Sequence, residues 1–185
     1  MAMATRLMTA EEFMLLPRPA DGSKQELVRG EVVVMAPPPN WEHGRIAGNV
    51  YFAIRLYLTR NPIGEVVVES GVIVDHDPAT VRGPDVSFMS KDRLPQDDRM
   101  NRYAEYSPDL CVEVLSPSNS RSDIRDKLAE YFTGGAKLVW VVDPDDRSVT
   151  VYQNAQEGRV LHQETSIDGG DVLPNFTCPV ADFFR

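Results

Sequence analysis

The chain has 185 residues, of which 42% are hydrophobic and 25% are charged, a composition typical of a globular protein. This length is enough to bury a large core, and we expect residues 1–185 to form a single domain. The formal net charge of −9 disfavours a general nucleic-acid coat protein, which would be basic, although it leaves room for an enzyme with a local basic patch.

The sequence has the features expected of a cytoplasmic protein. No apolar stretch reaches the roughly 18 to 20 residues that are needed to cross a bilayer. The first residues lack the continuous apolar segment of a secretory signal. Cys111 and Cys178 have no metal-ligand spacing, and we expect Cys111 to be an inert buried thiol.

Hydrophobic periodicity predicts alternating helices and strands along the chain. The first half contains, in order, a short helix after an N-cap at Thr9, two strands within 26–35 around Arg29-Gly30, a helix from His43 to about Arg60, and paired strands at 65–69 and 72–74. The second half contains a loop at 75–83, the strand that Asp85 opens, a polar stretch at 91–107, a strand at 110–115, a helix from about Asp123 to Thr133, and strands at 137–142 and 149–152. The tail is predicted to end in a short turn whose two phenylalanines, Phe183 and Phe184, cover a core edge. We expect an α/β (α+β) domain whose central mixed sheet carries the Asp85 and Glu113 strands, flanked by the helices at 43–60 and 123–133.

Three charged residues occupy positions where burial is expected. Asp85 opens a strand, Glu113 lies inside the apolar run 110–115, and Lys127 falls on the apolar stripe of a predicted helix. An ionised side chain costs several kcal/mol to bury unless it is paired or binds a metal. These residues therefore predict a site that holds a hard cation.

Two carboxylates and a lysine are suited to phosphodiester hydrolysis. If Asp85 and Glu113 converge on adjacent strands, their oxygens are ligands of the kind that Mg²⁺ or Mn²⁺ prefers. Such an ion polarises a phosphoryl oxygen and lowers the pKa of a bound water. A nearby lysine can stabilise the charge that develops on the phosphate or help to orient the attacking water.

Several motifs in this chain resemble those of the Uma-two family, whose members are restriction-endonuclease-like proteins of the PD-(D/E)XK nuclease superfamily. The motifs are, in order, Glu26-Leu27-Val28-Arg29-Gly30-Glu31, the proline-rich segment running to His43, Gly83-Pro84-Asp85-Val86, Cys111-Val112-Glu113-Val114-Leu115-Ser116-Pro117-Ser118, Asp126-Lys127-Leu128-Ala129-Glu130-Tyr131, and Val139-Trp140-Val141-Val142-Asp143-Pro144. The resemblance covers roughly residues 10–184, and the combined order of the motifs is specific although Pro-Asp alone is not.

The resemblance implies a restriction-endonuclease-like fold with Asp85 and Glu113 as metal ligands and nucleic acid, most simply DNA, as substrate. The lysine that the superfamily pattern places two residues after the glutamate is Leu115 here. Lys127, on the following helix, would have to supply the ammonium instead. Glu26 resembles an additional acidic residue near the start of such folds, which would complete the metal shell or orient a water. A homodimer is implied by the resemblance only.

Most candidate residues also have a plain structural interpretation. Asp85 follows Pro84 and could be a turn residue. Glu113 and Lys127 could form a structural ion pair, and Lys127 could extend its ammonium to water while its stem packs. His43 is a candidate for binding a substrate phosphate, but capping or packing explains it equally well. Arg121 and Arg125 are candidates for contacts with a phosphate backbone, although exposed arginines are usually only solvated.

Three functions remain open on the sequence alone. The leading hypothesis is a Mg²⁺- or Mn²⁺-dependent endonuclease. The second is a non-catalytic binding or scaffold module that retains the nuclease fold, which Leu115 and the acidic balance favour. The third is a metal-dependent hydrolase of small phosphate compounds.

Overall fold

The computed structural model describes residues 6–17, 19–35, 40–95, 102–117 and 119–185; Pro37-Pro38-Pro39, Ser118 and part of the predicted polar stretch lie outside these ranges. In chain order the helices and strands are α1 (Ala10–Met14), β1 (Gln25–Val28), β2 (Glu31–Val34), α2 (Trp41–Arg60), β3 (Gly64–Val68), β4 (Val72–His76), β5 (Ala79–Arg82), β6 (Val86–Ser90), β7 (Leu110–Val114), α3 (Arg121–Thr133), β8 (Leu138–Asp143), β9 (Ser148–Tyr152), β10 (Gly158–His162), β11 (Ser166–Gly169), β12 (Leu173–Pro179) and a 3₁₀ helix (Val180–Phe184). No helix in this described part is both long and apolar enough to cross a membrane.

A six-stranded mixed sheet forms the centre of the fold, in the order β10-β9-β8-β7-β6-β3. Strands β7 and β8 are parallel, and α3 connects them. The other neighbours, including β6 and β7, are antiparallel. The predicted mixed sheet, with the Asp85 and Glu113 strands side by side in it, is therefore confirmed.

The two faces of this sheet bury different side chains. Alternate residues of β7 point in opposite directions, so that Leu110, Val112 and Val114 pack in one core with α2, whereas Cys111 packs in a second core with α3. Helix α2 buries one stripe at helical spacing, Ile46, Val50, Ile54 and Leu58. Each such side chain contributes about 1.5–3 kcal/mol of hydrophobic stabilisation. Helices α2 and α3 flank the sheet as predicted.

Side-chain caps fix where the helices begin. Thr9 caps α1 and Ser120 caps α3, each in a capping box with the acidic residue three positions later. Asn40 accepts a hydrogen bond from the backbone N–H of His43 at 2.9 Å, which caps α2. Both long helices begin two residues before the predicted starts, immediately after their caps Asn40 and Ser120.

A second sheet of four strands, in the order β2-β1-β5-β4, corrects two predictions. The segments 65–69 and 72–74 do not pair, since β3 pairs with β6 and β4 pairs with β5. Residues 75–83 are not a loop, because most of them complete the β4–β5 hairpin. Gly71, between the segments 65–69 and 72–74, lies against an aromatic ring: a Cβ there would stand 2.3 Å from the ring of Tyr103.

The C-terminal region contains more strands than the sequence predicted. Strand β10 extends the central sheet, and β11 and β12 form a separate two-stranded sheet. The chain then ends in the 3₁₀ helix, where Phe183 and Phe184 are buried in the same core as α2. The predicted packing of the two phenylalanines is confirmed.

Candidate functional site

The charged residues of interest meet between the two sheets. Strand β7 of the central sheet carries Glu113, and Asp85 stands immediately before β6. Strand β1 of the second sheet carries Glu26, and α3 carries Lys127. All four side chains are buried, with residue exposures between 1% and 8%. The structure therefore brings the four predicted catalytic residues into one cluster.

Asp85 and Glu113 are neighbours across adjacent strands. The antiparallel register pairs Val86 with Val112, and continuing it by one position places Asp85 opposite Glu113. Oδ2 of Asp85 accepts a hydrogen bond of 2.7 Å from the backbone N–H of Val114, the residue after Glu113. This bond holds the aspartate beside the end of β7, although Asp85 itself precedes its strand.

Lys127 reaches both glutamates of the cluster from α3. Its Nζ donates to Oε2 of Glu113 at 2.8 Å and lies 3.6 Å from Oε1 of Glu26. Because the residue is only 5% exposed, its ammonium is buried, and the interpretation in which Lys127 extends to water is wrong. The ion pair with Glu113 that the sequence left open is present. Burial alone would lower the pKa of Lys127, but Glu113 and Glu26 raise it above its ordinary value, so the lysine is charged.

Glu113 has both of its oxygens in hydrogen bonds. Lys127 donates to Oε2, and the phenol O–H of Tyr131 donates to Oε1 at 2.5 Å. Burial raises the pKa of Glu113, and the negative charges of Asp85 and Glu26 add to that rise while Lys127 offsets part of it. A second cation near Glu113, in addition to the ammonium of Lys127, would relieve the repulsion among these three carboxylates.

Glu26 joins the second sheet to the cluster. Its Oε2 accepts a hydrogen bond of 2.7 Å from Arg82 of β5, and its Oε1 accepts one of 3.2 Å from the backbone N–H of Gly83. Arg82 also donates to Glu130 of α3 at 2.5 Å. Burial would raise the pKa of Glu26, but Lys127 and Arg82 outweigh it, and the pKa lies below its ordinary value. Glu26 is thus an ionised carboxylate held between two cations.

Two basic side chains approach Asp85, one from α2 and one from the residue before β1. Nε2 of His43, in the first turn of α2, lies 3.3 Å from Oδ2, and Nζ of Lys24 lies 4.0 Å from Oδ1. Burial would raise the pKa of Asp85, but His43 and Lys24 lower it below its ordinary value. The hydrogen bond to Asp85 in turn raises the pKa of His43. His43, a candidate for substrate binding, therefore joins the cluster.

The donor set fits a hydrated cation and not a closed metal cage. No three His, Cys, Asp or Glu side chains among the described residues form a ready-made metal centre. Asp85, just before β6, and Glu113 on the neighbouring β7 nevertheless supply hard oxygens. Nζ of Lys24 lies 4.0 Å from Oδ1 of Asp85, which is an ion-pair distance and too long for a hydrogen bond. Mg²⁺ is commonly held by one or two carboxylates with water completing the octahedron. The residues present fit that mode of binding.

The other two candidates lie outside the cluster. Arg121 and Arg125 are exposed one turn apart on α3, and the helix directs Lys127 inward instead. Trp140, from the motif at 139–144, is fully buried in the core. A groove of about 620 Å³ between α2 and β12 contains no residue of the cluster. The charged cluster, and not this groove, is the candidate site.

Sequence reasoning assigned no site role to Lys24, Arg82 or Tyr131. Two of them had a signal in their spacing. Lys24 stands two residues before Glu26, the distance that places side chains on the same side of a strand. Tyr131 stands four residues after Lys127 on the same helix face. Arg82 had no such signal, because the segment around it was interpreted as a loop.

Comparisons with known proteins show the fold and the family of this chain. A crystal structure described as a putative nuclease belonging to DUF820, from Anabaena variabilis ATCC 29413, superposes with a TM-score of 0.79 at 22% sequence identity, over 96% of this chain and 97% of that one. At this identity the likeness shows a common fold. No curated protein matches the chain. The Uma2 family, described as a putative restriction endonuclease, matches residues 10–181. Because that match includes most of the sequence, the chain belongs to the Uma2 family.

Proposed function

We propose that residues 1–185 form one metal-dependent endonuclease domain that hydrolyses phosphodiester bonds of nucleic acid, most simply DNA, in the cytoplasm. The observation that carries the proposal is the position of Asp85 opposite Glu113 on adjacent strands, with a buried lysine beside them. The family description and the nuclease described for the structural neighbour support the same chemistry.

Asp85 and Glu113 are the proposed metal ligands. Mg²⁺ or Mn²⁺ bound there would polarise a phosphoryl oxygen and lower the pKa of a bound water. The chain's own contribution is to hold the two carboxylates still: the Val114 N–H fixes Asp85, while Lys127 and Tyr131 fix Glu113. Ligands that are oriented by surrounding hydrogen bonds bind metals more tightly than free ones.

Glu26 has a proposed role as a positioning residue. It is 1% exposed, and Arg82, Gly83 and Lys127 surround its two oxygens. A carboxylate in that position keeps Lys127 charged and directed at Glu113. Glu26 therefore acts on the site through Lys127 and the segment that leads to Asp85.

A panel of substrates tests the reaction class. Supercoiled plasmid, single-stranded DNA, RNA and a generic nitrophenyl phosphodiester are incubated with the protein in Mg²⁺, in Mn²⁺ or in EDTA. We expect cleavage of at least one nucleic acid with either metal and none in EDTA. Turnover of the small phosphodiester alone would instead identify a hydrolase of small phosphate compounds.

A non-catalytic module with the nuclease fold is the second candidate, and one observation favours it. Lys127 is buried between two carboxylates, and the position two residues after Glu113 is occupied by Leu115. A protein of this kind would bind Mn²⁺ at Asp85 and Glu113 yet cleave no member of the panel. That combined result would replace the endonuclease proposal.

We also propose a homodimer formed through the exposed face of α2. Trp41, Phe52 and Leu56 are 87%, 64% and 54% exposed on it, which is unusual for such large apolar side chains. Apart from the adjacent residues and the backbone of the helix itself, no described atom lies within 4 Å of a Cβ built at Gly44 or Gly48 on the same face.

This face is complementary to itself. Two antiparallel copies of α2 that cross at the level of residue 50 would place Phe52 opposite Gly48 of the partner and Leu56 opposite its Gly44. A two-fold interface requires such self-complementarity, because each surface meets its own copy. The large side chains of one helix would then occupy the open positions beside the glycines of the other.

A further inference from the structure

We propose that Lys24, and not Lys127, supplies the ammonium that contacts the substrate phosphate. The inference rests on the proposed nuclease function and adds a residue to it. It follows from a comparison of the two lysines that face the carboxylate cluster, one of which is enclosed by the fold while the other reaches it from the surface.

The ammonium of Lys127 is too enclosed to contact a substrate phosphate. The residue is 5% exposed, and its ammonium is shared between Glu113 and Glu26. Withdrawing it toward a phosphate would leave two buried carboxylates without their common cation, which is strongly unfavourable. Lys127 therefore serves to hold Glu113.

Lys24 occupies the solvent side of the same cluster. Its side chain is 35% exposed, and its Nζ lies 4.0 Å from Oδ1 of Asp85. The ammonium donates one hydrogen bond, of 2.5 Å, to the carbonyl oxygen of Gly83. An ammonium has three N–H donors, and this is its one hydrogen bond among the described residues, so donors remain for an incoming anion.

The local fold directs Lys24 to this position. Its backbone carbonyl accepts a hydrogen bond of 2.8 Å from the N–H of Met35, which fixes the main chain just before β1. A Cβ at Gly83 would stand 3.0 Å from Cε and 3.4 Å from Nζ of Lys24. The absence of a side chain at residue 83 thus leaves the space through which the lysine reaches Asp85.

The charges explain why this lysine suits a phosphate. Lys24 sits next to the proposed metal ligand Asp85, so a phosphodiester that reached a metal there would come within range of an ammonium already in place. A positioned cation of this kind stabilises charge that develops on the phosphoryl oxygens. The exposed stem allows the ammonium to shift from Asp85 to the phosphate without disturbing the buried pairs.

Lys24→Gln is the test variant, and Lys91→Gln is its matched control. Glutamine keeps a hydrogen-bond donor for Gly83, which limits any loss of stability; thermal unfolding verifies this. Lys91 is exposed just beyond the opposite end of β6, so its replacement removes the same charge away from the cluster. Lys24→Arg retains the positive charge and should restore part of the function.

Two readouts separate phosphate contact from a structural role. The first is binding of a fluorescein-labelled DNA oligonucleotide in Ca²⁺ at several salt concentrations: Lys24→Gln should lower the salt dependence by about one phosphate contact relative to wild type. The second is cleavage with Mn²⁺, in which kcat/KM should fall about 100-fold. Lys91→Gln should change neither.

The outcomes distinguish this inference from the function on which it rests. If the wild type cleaves and binds DNA but Lys24→Gln behaves like Lys91→Gln, the role of Lys24 is wrong and the nuclease proposal stands. If Lys24→Gln loses activity while the salt dependence is unchanged, the lysine is structural, which also contradicts the inference. If the wild type neither binds nor cleaves any nucleic acid, the proposed function fails and the role of Lys24 fails with it.

Discussion

Nζ of Lys127 donates a hydrogen bond of 2.8 Å to Oε2 of Glu113, although fourteen positions separate the two residues in the chain. The pair connects α3 to β7 in the interior of the protein. A second carboxylate, from Glu26, lies 3.6 Å from the same ammonium and ties the four-stranded sheet to the pair. One buried lysine thus holds both Glu113, a proposed metal ligand, and Glu26, a proposed positioning residue.

Replacing Lys127 with methionine should destabilise the fold strongly. Methionine fills a similar volume but leaves Glu113 and Glu26 without their shared cation, and removing one partner of a buried ion pair costs about 3–5 kcal/mol. Urea denaturation of Lys127→Met measures the loss of unfolding free energy. Lys91→Met, at an exposed lysine, should change stability by less than about 0.5 kcal/mol. Equal stabilities of the two variants would contradict the organising role of Lys127.

Replacing Tyr131 with phenylalanine should cost about 1–3 kcal/mol of unfolding free energy, because a buried acceptor on Glu113 loses its donor. The comparison variant is Tyr57→Phe, whose hydroxyl donates to the carbonyl oxygen of Pro174 near the surface. That change should cost less than Tyr131→Phe in the same urea titration. A smaller loss at Tyr131 than at Tyr57 would mean that the phenol does not support Glu113.

Asp109 should make stability depend on pH below about 5. Burial would raise its pKa, but hydrogen bonds from Lys137, Ser90 and Arg93 lower it from 3.8 to about 2. A carboxyl group with a lowered folded-state pKa stabilises the protein above its unfolded-state pKa, and this contribution disappears as the pH falls through the folded-state pKa. The shift corresponds to about 2 kcal/mol.

Unfolding free energies of wild type and Asp109→Asn, measured between pH 6 and pH 2, test this prediction. The difference between the two proteins should shrink as the pH falls toward 2, because the wild-type carboxylate becomes protonated. Asp171→Asn, at an exposed aspartate, serves as the control and should show no such convergence. A difference that stays constant over the whole range would be evidence against the role of Asp109.

A charge on the exposed face of α2 should prevent the proposed dimer. Phe52→Glu places a carboxylate opposite Gly48 of the partner, where it would be desolvated on association. Light scattering should give a dimer for the wild type and a monomer for this variant. Val160→Glu, at a half-exposed valine of β10, should remain dimeric. A monomeric wild type, or a dimer that tolerates Phe52→Glu, would exclude this interface.

Much of the site could be predicted because its residues violate a local pattern. Glu113 interrupts an apolar strand, and Lys127 interrupts an apolar helix face, so each was visible as a charge that required a partner. The two strands that bring Asp85 and Glu113 together have strong β patterns and were predicted within two residues of their observed bounds. Local sequence therefore carried information about both the elements and the charged positions.

The remaining parts depend on contacts between distant segments. The pairing of β1 with β5 puts Arg82 beside Glu26, 56 positions away, and no local pattern specifies that partner. The spacing of Lys24 relates it to Glu26 in the sequence, but its approach to Asp85 arises only when the start of β1 and the segment before β6 come together. The short strands β10 to β12 were missed because hydrophobic and polar residues alternate too weakly along their sequences.

The most direct test of the account is cleavage of supercoiled plasmid in Mn²⁺ by wild type, Glu113→Gln and Glu157→Gln. Glutamine keeps the shape of Glu113 but weakens metal ligation, whereas Glu157 is an exposed residue between β9 and β10 and controls for the loss of one charge. We predict that Glu157→Gln cleaves like the wild type and that Glu113→Gln, while still folded, is at least about 100-fold slower. Equal cleavage by wild type and Glu113→Gln would contradict the proposed site.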